Sequence, residues 1–304
     1  RVIQVSALRL RISRRRLECE LWGLLFTSLG ILHLIWLTAY PVLASLYYSF
    51  TSYSVIGRWR WIGLQNYERL FQDPEFYNAI YNTLYLIVLG LPIGIFASFL
   101  LAILLNQRVR GLSVYRTLFY LPSILPAVAT AVLWTWIFHP THGLLNIALQ
   151  LLGIVGPNWL ADPAWAKPAL IVMGLWGAGG STLVFLAGLQ DVPQELYDAA
   201  MVDGAGRWAK FRYITIPFMS PYLFFSLVTG LIGGFQAFTS AYVLTFGGPV
   251  RSTVTYVFYL WENGFSYLKM GYACALAWVL FVVIVVFTLI TFHLVGPRVY
   301  YAGR

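Results

Sequence analysis

Six stretches of this chain run for 23 or more residues without Asp, Glu, Lys or Arg. A helix that crosses a bilayer needs about 20 apolar residues, and a charge at its centre costs at least about 2.5–3.5 kcal/mol on insertion scales. We therefore expect an all-α integral membrane protein with six transmembrane helices. Trimmed at turn residues, the stretches predict spans at 21–43, 82–105, 115–138, 168–189, 218–245 and 271–295.

The composition excludes the main alternatives to a membrane protein. Apolar residues make up 60% of the chain and charged residues 10%, against about 45–50% and about 25% in soluble domains. Two cysteines, Cys19 and Cys274, are too few for a disulfide scaffold. The aromatic content of 17% excludes a disordered chain.

The basic residues predict the orientation of the spans. An even number of spans puts both termini on one side, and 14 of the 20 Lys and Arg residues then fall on that side. The positive-inside rule makes that side cytoplasmic, so the net charge of +9 reports topology and not nucleic-acid binding. We divide the chain into a basic cytoplasmic segment (1–20), a six-span domain (21–297) and a cytoplasmic tail (298–304).

The predicted spans lack the groups that would let the chain supply its own energy. Ion-coupled carriers need ionisable side chains inside the bilayer, and only Arg116 stands within a span, at its edge. The nucleotide-binding pattern G-x-x-x-x-G-K-[ST] is absent. His139 and His142 have a metal-like spacing, but no acidic residue or cysteine accompanies them. We expect no bound metal and no catalytic residue, with energy supplied by a partner protein.

The longest cytoplasmic connection, 190–217, reads as a helix, a turn and a second helix. Asp191 is positioned to cap a helix over 193–203, with Gln194 completing a capping box. Gly204 supplies a left-handed stop. An amphipathic segment begins again at Arg207. On composition alone, the loop is equally consistent with an interfacial segment and with a docking surface.

The spacing within this loop carries a family resemblance. The loop resembles the cytoplasmic signature of permease subunits of binding-protein-dependent ABC importers: E-A-A, three residues, G, nine residues, I-x-L-P. Asp replaces the Glu of this signature and Ile replaces its Leu. The matching residues are Asp198-Ala199-Ala200, Gly204 and Ile214-Thr215-Ile216-Pro217.

The resemblance implies a coupling helix that sits in a cleft of an ATPase subunit. It also implies a second, non-identical permease, two ATPase subunits that bind ATP and Mg, an extracytoplasmic sugar-binding protein, and a location in the cell's inner membrane among lipids. No cofactor is expected on this chain itself. The coupling residues expected from the motif are Glu195, Asp198, Ala199, Ala200, Asp203, Gly204, Ala205 and Arg207.

Short motifs along the chain narrow the resemblance to sugar importers, similar to the larger maltose-transporter permease. They include Gly63-Leu64-Gln65-Asn66-Tyr67, Arg116-Thr117-Leu118-Phe119 and Gly247-Gly248-Pro249. A sugar path needs aromatic faces and neutral hydrogen-bonding groups, which the fourth and fifth spans contain, although small residues equally serve close helix packing. The expected pathway residues are Trp176, Gly177, Gly180, Gly230, Gly233, Gly234, Gln236, Ala237, Phe238 and Tyr242.

Two alternative functions stay open from the sequence. A permease of the same type could carry another solute, such as glycerol phosphate, a polyamine or an amino acid. A membrane-embedded enzyme or an ion-coupled carrier is a second class, which the uncharged spans disfavour.

Overall fold

The computed structural model describes residues 14–107 and 109–300, and within these ranges the chain contains helices and no β-strand. A single isolated bridge pairs Thr51 with Trp61. The predicted all-α class is confirmed. Parts of the predicted terminal segments, 1–13 and 301–304, lie outside the described residues.

Four described helices are long and apolar enough to cross a membrane, and two bent helix pairs raise the number of spans to as many as six. We refer to them in chain order as the first to sixth spans. Several extend beyond the predicted bounds because polar residues continue the helix outside the apolar segment. The spans are Glu20–Ser49, Pro74–Leu105, Leu112–Ile124 with Ala127–Ile137, Pro163–Trp176 with Gly179–Gln190, Arg207–Phe235 and Met270–Arg298.

The third span is broken, which corrects the prediction of one helix over 115–138. Its two halves meet at an angle of 103°. Pro126 has no N–H to donate and forces the residue before it out of the helical conformation. Leu125 accordingly has an extended backbone (φ −69°, ψ 141°), and the first half ends at Ile124.

The fourth and fifth spans are also interrupted. The halves of the fourth span bend by 49° at Gly177 and Ala178. The fifth span ends at Phe235 and a short helix, Thr239–Thr245, follows, so the predicted helix over 218–245 is wrong in its last third. Glycines at 233 and 234 weaken the helix just before this break.

The fifth span begins earlier than predicted. The span was predicted to begin at residue 218, yet the helix runs unbroken from Arg207 through Pro217 to Phe235. A proline ring clashes with the carbonyl four residues earlier in a regular α-helix. The π-helical turn Phe211–Thr215 lies at that position and widens the helix there.

Shorter helices cover the two ends of the bundle. We call the end that carries Gln194–Val202 the loop end, and the opposite end the far end. At the far end, Tyr256–Trp261 continues into Glu262–Ser266, and its residues form a core with the second, fifth and sixth spans. The remaining short helices are Gln65–Gln72, Leu144–Leu151 and Thr239–Thr245.

Ion pairs and hydrogen bonds of Arg251 connect segments at the far end. The guanidinium of Arg251 donates to Glu75 at the start of the second span and, at 2.8 Å and 3.3 Å, to both carboxylate oxygens of Glu262. These carboxylates raise the pKa of Arg251. The backbone carbonyl of Arg251 accepts the side-chain amides of Asn78 and Asn82. One arginine thus joins the start of the second span, which is distant in sequence, to the helix Glu262–Ser266.

Candidate functional site

The loop end presents the predicted coupling segment as a short exposed helix, Gln194–Val202. Gly204 follows it with φ +75°, so the predicted left-handed stop is confirmed. The predicted cap is wrong. The helix begins after Pro193 without a side-chain cap, and Asp191 instead accepts the Tyr222 hydroxyl.

Contacts with the fifth span hold this helix against the bundle. The Tyr197 hydroxyl lies 2.9 Å from the hydroxyl of buried Thr215. Large apolar side chains are exposed beside it: Val202 at the end of the helix is 89% exposed, and Trp208 in the first turn of the fifth span is 73% exposed. An exposed apolar surface of this kind is typical of an interaction site.

The predicted coupling residues surround that surface. Six are exposed and two, Ala200 and Ala205, are half-buried. The side-chain amide of Gln194 donates to Asp198 at 3.2 Å, which orients the carboxylate along the helix. The structure brings these residues together at the loop end, and their contact with an ATPase stays a prediction. The exposed ones are Glu195, Asp198, Ala199, Asp203, Gly204 and Arg207.

The second candidate site is a cavity of about 630 Å³ located where the third, fourth and fifth spans are interrupted. Its walls come from residues in or next to each break. The lining contains hydroxyl groups, one carboxamide, one aromatic ring and no charged side chain. The lining residues are Pro122, Ser123, Ala127, Thr130, Met173, Gly174, Gly177, Gly180, Ser181, Gln236, Ala237, Phe238, Thr239 and Ser240.

The predicted pathway residues divide between this cavity and its surroundings. Five of the ten line it: Gly177, Gly180, Gln236, Ala237 and Phe238. Their role in transport stays a prediction.

The other five lie elsewhere. A Cβ at Gly234 would meet Ile87 at 2.8 Å and one at Gly230 would overlap Leu91, so these glycines allow close packing on the second span. Gly233 faces open space. Trp176 packs edge-to-face on Trp134 at 6.1 Å between ring centroids. Tyr242 stacks on Phe238.

Sequence reasoning missed the wall that the third span contributes. Ser123, Ala127 and Thr130 line the cavity because the break at Leu125 and Pro126 turns both helix halves toward it. The two prolines of the span, Pro122 and Pro126, were the signal that could have revealed this.

Asp73 anchors a second polar cluster at the far end. Its carboxylate caps the second span through the backbone N–H of Glu75 at 3.0 Å and accepts the hydroxyls of Tyr259 and Tyr272. Burial acts to raise the pKa of Asp73, but the hydrogen bonds and the nearby Arg69 outweigh it, so the pKa lies below its usual value. Burial also raises the pKa of Tyr259 to about 12.

The described residues hold no group of three or more His, Cys, Asp or Glu side chains that could bind a metal. His139 and His142 lie close together, with ring centroids 5.3 Å apart, and the Thr141 hydroxyl is near the Nδ1 atoms of both. Two exposed imidazoles without a third ligand are a poor match for a structural metal site, which has four ligands.

Broken apolar helices around an uncharged cavity define a membrane-spanning solute permease. Residues 76–299 match the family model described as "Binding-protein-dependent transport system inner membrane component", and the chain belongs to this family.

The following relatives are named as permeases, and each match covers most of both chains. The chain is 38% identical over 297 residues to the probable ABC transporter permease YesP of Bacillus subtilis (strain 168), covering 96% of each. It is 33% identical to the lactose transport system permease LacF of Rhizobium radiobacter, covering 91% of this chain and 94% of LacF.

Two solved structures share the fold. A chain of a bacterial ABC transporter that imports the acidic polysaccharide alginate matches with a TM-score of 0.81 and 28% identity, over 94% of this chain and 99% of that one. A chain of a bacterial alginate transporter in complex with a periplasmic protein carrying an alginate pentasaccharide matches with a TM-score of 0.79 and 28% identity, over 91% and 94%.

Proposed function

We propose that this chain is one permease subunit of an ATP-driven importer that takes a carbohydrate from an extracytoplasmic binding protein into the cytoplasm. The observation that carries the proposal is the exposed helix Gln194–Val202, which presents the Asp198-Ala199-Ala200 and Gly204 signature at one end of the bundle. The named substrates of the relatives, lactose and alginate, support a carbohydrate.

The partners follow from the same reasoning. Two ATPase subunits would bind ATP and Mg and hydrolyse the nucleotide, one of them receiving Gln194–Val202 against its surface. A second, non-identical permease would complete the pathway. The loop end and both termini then face the cytoplasm, and the far end faces the binding protein.

The cavity chemistry fits passage of a sugar. Ser123, Thr130, Ser181 and Gln236 offer neutral donors and acceptors to sugar hydroxyls, and Phe238 offers an aromatic face to an apolar ring surface. Transport requires a site that binds weakly enough to release its cargo, and the uncharged lining avoids strong ionic contacts.

Charge reversal at Asp198 tests the docking. The complete transporter is reconstituted in vesicles with its binding protein, and ATP-dependent carbohydrate uptake is measured. We expect Asp198→Arg to abolish uptake, because Asp198 is exposed within the coupling signature and the proposed contact would then meet a long side chain of opposite charge. Asp198→Glu is the matched control and should retain uptake, because it restores the acidic residue of the family signature. Wild-type uptake with Asp198→Arg would refute the docking.

Two further outcomes test the wider proposal. Uptake that persists without ATP and collapses with an uncoupler would identify an ion-coupled carrier instead. The melting temperature of the cognate binding protein, measured with sugars, polyamines and amino acids, identifies the solute class. A shift with an amino acid or a polyamine alone would refute the carbohydrate assignment.

A further inference from the structure

Six aromatic side chains form a continuous stack at the far end. The centroid of Phe238 lies 5.2 Å from that of Tyr242, which lies 4.9 Å from Trp261, and Trp261 lies 6.4 Å from Phe265. Phe258 is buried behind these rings, and Phe246 packs on Tyr242 at 5.0 Å. We call Phe238, Tyr242, Trp261 and Phe265 the aromatic ladder.

The ladder connects the cavity to the surface. Its inner end, Phe238, lines the cavity, and its outer end, Phe265, is 60% exposed. Trp261 directly precedes Glu262, whose carboxylate is paired with Arg251. Charged groups avoid the hydrocarbon of a bilayer. The outer end of the ladder therefore lies at an aqueous surface and not against lipid tails.

The polar tips of the ladder have no hydrogen-bond partner. Among residues 14–107 and 109–300, nothing accepts from or donates to the Tyr242 hydroxyl, and nothing accepts from the Trp261 indole N–H. Both residues are half-buried. The hydroxyl of a buried Tyr and the indole N–H of a buried Trp normally have a hydrogen-bond partner. Tyr256 follows this rule, because its hydroxyl donates to the carbonyl of Leu276. The free tips of the ladder are positioned to donate to a bound molecule.

We propose that the aromatic ladder is a carbohydrate-binding path that leads saccharide rings from the far end into the cavity. The proposal rests on the proposed function and extends it to substrates of two or more rings. The C–H face of each sugar ring stacks on Trp261 or Phe265, while the free tips donate to its hydroxyls. A saccharide of several rings touches the ladder and the cavity together, whereas a single ring touches one of them.

The test compares variants of the reconstituted transporter with its binding protein. The probe is a mixture of di- to pentasaccharides made by partial hydrolysis of starch, arabinan and alginate, and the imported saccharides are identified by mass spectrometry of the vesicle lumen. Trp261→Leu and Phe265→Leu remove a ring but keep apolar volume. Trp261→Phe restores an aromatic face. Trp36→Leu, on the exposed surface of the first span, is the matched control.

We expect Trp261→Leu and Phe265→Leu to reduce uptake at limiting probe concentration by roughly three- to tenfold, the loss of one aromatic contact. The reduction should grow with saccharide length, Trp261→Phe should recover most of the uptake, and Trp36→Leu should match the wild type. A purely structural role would lower the melting temperature and reduce uptake equally for all lengths.

Each outcome has a separate meaning for the two proposals. Wild-type uptake at every saccharide length with both leucine variants would overturn the ladder and leave the proposed function standing. A length-independent loss that Trp261→Phe does not recover would also overturn the ladder. If the binding protein shows no melting shift with any sugar and the wild-type transporter imports no saccharide, the proposed function and the ladder both fail.

Discussion

Replacing Gly179 with alanine should separate the third and fourth spans. Gly179 is buried at the start of the second half of the fourth span. An added Cβ would lie 3.0 Å from the carbonyl carbon of Phe119, closer still to its oxygen, and 3.3 Å from Cα of Tyr120. These are backbone atoms, which cannot rotate away as a side chain does. One helix must therefore move.

The size of the effect follows from two opposing contributions. Overpacking a well-packed contact costs about 1–3 kcal/mol. Alanine offsets up to about 1 kcal/mol of this through its higher helix propensity. We expect Gly179→Ala to lower the free energy of unfolding by about 1–2 kcal/mol, and the melting temperature by a few degrees.

Thermal unfolding of the purified protein in detergent micelles measures the change. Gly94→Ala in the second span is the matched control, because a Cβ there meets nothing within 4 Å. The control should keep or slightly raise the melting temperature. If Gly179→Ala melts at or above the wild-type temperature, the close approach of the two spans is refuted.

Three more perturbations have defined outcomes. Arg251→Gln should lower the free energy of unfolding by about 1–3 kcal/mol, measured by thermal unfolding, because it removes the charge-assisted hydrogen bonds to Glu262, which is 15% exposed. Asp73→Asn should destabilise the protein at pH 7. Because folding lowers the pKa of Asp73, the contribution of its carboxylate to the free energy of unfolding is complete above the unfolded pKa of about 3.9. This contribution is lost as the pH falls through the folded pKa. The melting temperatures of the wild type and the variant should therefore converge in acid. Gly204→Ala should cost about 1–2 kcal/mol locally, because φ is +75°, and should speed hydrogen exchange over Gln194–Val202.

Matched controls separate these effects from general damage. Arg58→Gln changes an exposed arginine of the far end and should leave the melting temperature unchanged. Asp162→Asn alters a helix cap without tyrosine partners and should have a smaller effect than Asp73→Asn. Gly206→Ala is expected to be tolerated, because its φ is −68° and its Cβ would meet nothing within 4 Å. Equal effects in a variant and its control would contradict the corresponding argument.

The sequence was sufficient for features that depend on local composition. Long uncharged runs identified the spans, because a bilayer excludes charge whatever the tertiary structure. Gly204 was identified as a helix stop because its conformation is decided by adjacent residues.

Features that depend on distant contacts could not be read from the sequence. Arg251 pairs with Glu75 and Glu262, and Asp73 meets Tyr259 and Tyr272, across separations that no local pattern encodes. The same limit applies to Gly230 and Gly234. Glycine allows both close packing and an open path, and only the neighbouring Leu91 and Ile87 decide between the two.

The third, fourth and fifth spans are all interrupted around one cavity, which divides the molecule into an upper tier at the far end and a lower tier at the loop end. In the upper tier Arg251 pairs with Glu75 and Glu262, and the lower tier carries the helix Gln194–Val202. Bending an intact helix breaks its regular backbone hydrogen bonds, but at these three joints that pattern is already interrupted and shorter turn bonds replace it, such as Gly177 N–H to the Gly174 carbonyl. A force applied to the lower tier therefore meets least resistance at the joints, and the cavity between the tiers is the part whose shape changes first.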